Sequence, residues 1–84
     1  MSIRNVSVRQ VKAARALLAW SQEQLAQASG ISIPTIKRLE AGDGTLGGRR
    51  QTADAIHSAL EAAGIEFIHG AEPGVKLRKV DKSG

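Results

Sequence analysis

The residues from Gln22 to Ala41, QEQLAQASGISIPTIKRLEA, constrain this chain more than any other stretch. They read as two short helices meeting at a tight turn. Leu25, Ile31, Ile36 and Leu39 are apolar where two crossing helices would bury them, and Ala26 is small where the second helix passes close over the first. Gly30 stands at the junction, where the backbone turns with positive φ and glycine does so without steric cost.

The flanking segments extend this pattern. Ser7 and Gln10 form an S-x-x-Q capping box, which starts a helix over Val8 to Ala19. Val11, Ala14, Leu17 and Leu18 supply its expected buried stripe. Ser21 and Gln24 repeat the box, so a second helix runs from Gln22 to about Ser29. Ser32 is the expected N-cap of a third helix, Pro34 falls in its first turn, where a missing N–H costs nothing, and the helix runs to Ala41 before Gly42 stops it. Residues 42–48, GDGTLGG, form an expected flexible surface loop. They spell G-x-G-x-x-G, but a dinucleotide site needs a preceding strand and a βαβ unit, and neither is present in the pattern. A fourth helix spans Arg49 to Ala63, with Ala53, Ile56, Leu60 and Ala63 as its apolar stripe and Gly64 after it.

The period then changes. Ile65 and Phe67 alternate with Glu66, turn residues follow from His69 to Gly74, and Val75 and Leu77 alternate with Lys76 and Arg78. This predicts an antiparallel hairpin, Ile65–Ile68 with Val75–Val80, whose Phe67, Val75 and Leu77 face the helices. The expected organisation is an arm over residues 1–7, a helical domain over 8–64, the hairpin over 65–80 and a disordered tail over 81–84. The fold class is mainly α, four helices with a C-terminal β-hairpin.

Two short crossing helices of this kind make a helix-turn-helix, which lays its second helix in the major groove of DNA. Ser32, Ile33, Pro34, Thr35, Lys37 and Arg38 are the candidate base-reading residues. A guanidinium bridges guanine O6 and N7, and an apolar side chain meets the thymine methyl. Candidate phosphate ligands are Ser21 and Gln22 at the start of the second helix, Thr45 with the loop backbone, and Arg49 and Arg50. Two arginines opening a helix oppose its dipole, a conflict an anionic partner resolves. Arg15 and Glu40 lie at the edges of apolar stripes and are expected to form a structural ion pair. Net charge is +4 and the pI about 10.1, in keeping with a polyanionic partner.

Composition excludes several alternatives. Cysteine is absent, so neither disulfides nor thiolate metal sites arise. Trp20 and Phe67 are the only aromatics, too few for a base-stacking platform, and Trp20 is read as a packing residue. His57 and His69 are read as solvated, with no metal or other cofactor and no catalytic residues, so an enzyme is not expected. No apolar run is long enough to span a membrane and no signal sequence is evident, which places the expected protein in the cytoplasm.

The words ARALLAWSQEQLAQASGISIPTIKRLEAG and IHSALEAAGIEF resemble the lambda-repressor-like, Cro/repressor-type (XRE) helix-turn-helix family. The resemblance covers about Val8 to Phe67. It implies a bundle of four or five helices that binds double-stranded operator DNA as a two-fold homodimer. It also implies that Gln22 touches a phosphate, that Ile33, Pro34 and Arg38 occupy base-reading positions, and that Arg15 pairs with Glu40. Ile33 and Pro34 stand where many members carry polar side chains. The ending GIEFI…PGVKLRK is similar to GVEFI…GVRLR in a bacterial subgroup of small members. The function so implied is a bacterial or phage transcriptional regulator, a repressor. The alternatives are a protein-interaction adaptor, or an antitoxin with a toxin as protein partner.

Overall fold

The computed structural model describes residues 6–78. Four helices, α1 (Val8–Leu18), α2 (Gln22–Ser29), α3 (Ile33–Glu40) and α4 (Arg50–Ala62), are followed by strands β1 (Ile65–Ile68) and β2 (Gly74–Leu77). This is the mainly helical bundle with a terminal antiparallel hairpin that the periodicity predicts. The expected disordered tail, residues 1–5 of the arm and residues 79–80 of the second strand lie outside the described residues.

The helix starts follow from their caps. Both boxes are complete: Ser7 Oγ accepts from the Gln10 N–H at 3.0 Å, and Ser21 Oγ accepts from the Gln24 N–H at 3.1 Å. In return, the Ser7 and Ser21 N–H groups donate to the Gln10 and Gln24 side chains. The ends are tighter than the sequence suggests. Helix α1 stops at Leu18 because Ala19 turns left-handed (φ 58°), and α3 stops at Glu40 with Ala41 as its cap. Arg49 caps α4 rather than lying in it. Gly30 ends α2 with φ 76°, as the turn demands.

The core comprises Val6, Val8, Val11, Ala14, Leu25, Ala26, Ile36, Leu39, Leu46, Ile56, Leu60 and Ile65. Leu17 does not belong to it; it is 46% exposed. With 3.6 residues per turn, Leu17 lies about 120° around the helix from Val11, whereas Leu18 returns to the buried side. Val6 and Leu46 are additions. The Leu46 N–H donates to the Val6 carbonyl at 2.9 Å, and the Val8 N–H to that of Gly44 at 2.8 Å. Ser7 and Thr45 thereby form an antiparallel bridge. The loop over 42–48, expected to be a free surface loop, is instead pinned to the segment entering α1.

The hairpin pairs Ile65 with Leu77 and Phe67 with Val75. Strand β2 lies along α1 and β1 along α4. Ile65 is the deeply buried strand residue, Phe67 and Val75 are half-buried, and Leu77 is 40% exposed despite its expected inward direction. At the far end of the hairpin, the buried Gln10 amide donates to the carbonyls of Ile68 (2.9 Å) and Gly74 (3.0 Å), which fastens the turn to α1.

Candidate nucleic-acid interface

Helix α3 has two unlike sides. Ile36, Leu39 and Glu40 are buried, seated against α1 and α2. Ser32, Pro34, Lys37 and Arg38 are exposed, and Ile33 and Thr35 half-buried. Lys37 and Arg38 form no ion pair among the described residues, so their charges are available to a partner. Four of the six candidate base-reading positions therefore lie on the outward side of a short, anchored rod, with Ile33 and Thr35 at its borders.

That rod is held in place by a polar junction. Arg15 donates through Nε to one Glu40 oxygen at 2.8 Å and through Nη2 to the other at 2.6 Å, a bidentate pair. Its Nη1 donates to the Trp20 carbonyl at 2.9 Å, and the Gln22 amide donates to Glu40 at 3.0 Å. One carboxylate thus joins α1, α2 and α3. The Glu40 side chain is only 4% exposed. Burial acts to raise its pKa, but the hydrogen bonds from Arg15 and Gln22, with the positive charges of Arg15 and Lys12, outweigh burial and hold it below the ordinary value. The expected structural pair is present.

The phosphate candidates lie in different settings. Gln22 is half-buried and turned toward Glu40, and Ser21 is occupied in its capping box. Thr45 is exposed, with its backbone in the bridge to Ser7. Arg49 and Arg50 are exposed, and no side chain caps the start of α4. Thr35, Arg38, Arg49 and Thr52 line one shallow depression between the outer side of α3 and the start of α4. The structure thus brings two base-reading candidates, Thr35 and Arg38, and one phosphate candidate, Arg49, together at one site. Thr52 was not singled out in the sequence, although it falls one turn into α4, beside the arginines.

His57 overturns its sequence reading. It is 6% exposed, stacks on Phe67 with ring centroids 4.6 Å apart, and its Nδ1 lies 3.2 Å from Glu61. Position 57 is four after Ala53 and three before Leu60, so it shares the apolar side of α4, a signal its polarity concealed. His69 is exposed. Among the described residues, no group of three or more His, Cys, Asp or Glu is arranged to hold a metal ion. No helix there is long and apolar enough to cross a membrane.

Residues 11–50 match the family model described as helix-turn-helix. The chain carries a helix-turn-helix domain of the Cro/repressor (XRE) family. This Cro/repressor-type domain is a DNA-binding module of transcription regulation, and DNA is its partner. No curated protein matches the chain. The family match ends at Arg50, so most of α4 and the whole hairpin lie beyond it.

Proposed function

We propose that the protein is a sequence-specific bacterial repressor, acting in the cytoplasm, that reads the DNA major groove with α3 as a homodimer. The observation that carries this reading is the two-sidedness of α3: Pro34, Lys37 and Arg38 face outward while Ile36, Leu39 and Glu40 anchor the helix. In this proposal Arg38 and Lys37 hydrogen-bond guanine edges, and Ser32, Ile33, Pro34 and Thr35 meet the bases near the start of the helix. Arg49, Arg50, Thr45, Ser21 and Gln22 lie toward phosphates, with the uncapped first turn of α4 adding its N–H groups. Residues 8–64 are the DNA-binding unit, and the hairpin over 65–80 joins two copies across a two-fold axis. Its two-stranded sheet leaves backbone edges, and Ile68 and Leu77 are apolar and exposed there.

Selection of bound duplexes from a random pool tests the reading. The expected result is an enriched, two-fold-related sequence with half-sites about one helical turn apart. Arg38→Ala is expected to relax preference at one position of each half-site, at a cost of about 1–3 kcal/mol. A pool that stays unenriched, with binding independent of salt, would replace this reading with that of a protein-binding adaptor.

A further inference from the structure

The first turn of α3 is short of hydrogen-bonding groups directed outward. Ser32 Oγ donates to Thr35 Oγ1 at 2.9 Å and accepts from the Thr35 N–H at 3.4 Å, so its hydroxyl is spent within the helix cap. Pro34 is exposed and has no N–H to offer. Ile33 is half-buried, leaning on the core while bordering an open depression whose surface is mainly apolar, shared with Ala26, Gly30 and Ile31 and edged by Glu23, Gln27 and Ser32. At Ile33 and Pro34 this end of the helix presents hydrocarbon. One turn further on, Lys37 and Arg38 are exposed and unpaired among the described residues.

We infer that the Ile33–Pro34 end of α3 is a thymine reader that recognises the 5-methyl group by apolar contact, one or two base pairs from a guanine read by Lys37 or Arg38. The inference rests on the major-groove reading proposed above. Thymine is the one base whose major-groove edge carries a methyl, and an apolar surface without donors gains nothing from the N7, O6 or amino groups of the others. A bare donor or acceptor pressed against Ile33 and Pro34 would lose its water without replacement, which penalises those other bases. The spacing follows from helix geometry. Four residues of α-helix rise about 6 Å, and because the step of about 3.4 Å is measured along the duplex axis and base edges are farther apart along the groove, this rise spans about one to two base pairs.

The test uses the intact protein and its selected duplex, with each thymine replaced in turn by deoxyuridine, which lacks only the methyl. At one thymine per half-site, the replacement is expected to weaken binding about fourfold. That thymine should lie one or two base pairs from the position where Arg38→Ala or Lys37→Ala relaxes the preference for guanine. Ile33→Ala or Pro34→Ala should bind thymine and deoxyuridine duplexes alike. Pro34 is exposed, so its variant keeps the test valid if Ile33→Ala disturbs the core. Uniform tolerance of deoxyuridine by the unmodified protein would overturn the inference while leaving the major-groove reading intact. So would a deoxyuridine penalty that persists undiminished in both variants. Failure to select any duplex is a separate result, seen on unmodified DNA, and would overturn both.

Discussion

Glu40 shows how one carboxylate can both hold a fold together and set its response to acid. Its side chain is almost wholly removed from water and that of its bidentate partner Arg15 largely so, and deleting either leaves a charge uncompensated. Arg15→Leu is expected to destabilise the protein by about 3–5 kcal/mol in chemical denaturation. The Glu40 pKa is lower in the folded chain than the ordinary value of 4.5, so folding favours its ionised form. That stabilisation is fully present above the ordinary value and is lost as pH falls through the lowered one. Thermal melts of the wild type and Glu40→Gln should therefore converge as the pH drops below about 4. A difference that stays constant across that range would show that Glu40 ionisation adds nothing. The pair was legible because Arg15 and Glu40 each flank an apolar stripe. His57 was not, because a polar name in an apolar phase was assigned to solvent, whereas an imidazole stacked on Phe67 and partnered by Glu61 is accommodated indoors.

At the scale of the element, helix starts were legible to the residue wherever a serine cap preceded them, because capping is a local hydrogen-bond pattern. Helix ends were less so. Ala19 ends α1 with φ 58°, a conformation unfavourable to a residue with a Cβ by about 1–2 kcal/mol. Ala19→Gly relieves that strain, set against a larger entropy loss on folding, and is expected to raise stability by about 0.4–1 kcal/mol. A lowered melting temperature would count against this account of the turn. The hairpin was legible in its period, but its depth was not. Ile65 is buried because it follows the Gly64 turn directly off α4, and Leu77 across from it lies nearer the rim. Which of two same-side residues is deeper depends on where the helices end, and alternation alone carries no such information.

For the whole molecule, the division of labour between the helical unit and the hairpin can be examined directly. If the hairpin joins two copies, Leu77→Lys should shift the sedimentation profile toward monomer, reduce operator affinity and remove the concentration dependence of the melting transition, while at dilutions where both proteins are monomeric the two melts should agree within about 0.5 kcal/mol. An unchanged dimer would move the interface elsewhere. Arg49→Ala with Arg50→Ala should weaken binding about equally across duplex sequences and lower the slope of log affinity against log salt by about one per lost contact. The outward side of α3 was legible because helical phase follows from the anchoring residues Ile36 and Leu39. The shared depression with α4 was not, because it depends on how the loop over 42–48 returns the chain.

That return has a practical corollary. Val6 and Leu46 are paired backbone to backbone, so the strand of chain entering α1 is a lever resting on the exit from α3. A reporter dye attached at Arg9, exposed in the first turn of α1, would sit on the same mechanical unit as the DNA-facing rod, and its emission should register operator capture. By the same coupling, Leu46→Pro, which removes the N–H that holds Val6, should perturb recognition more than a change confined to a free loop would.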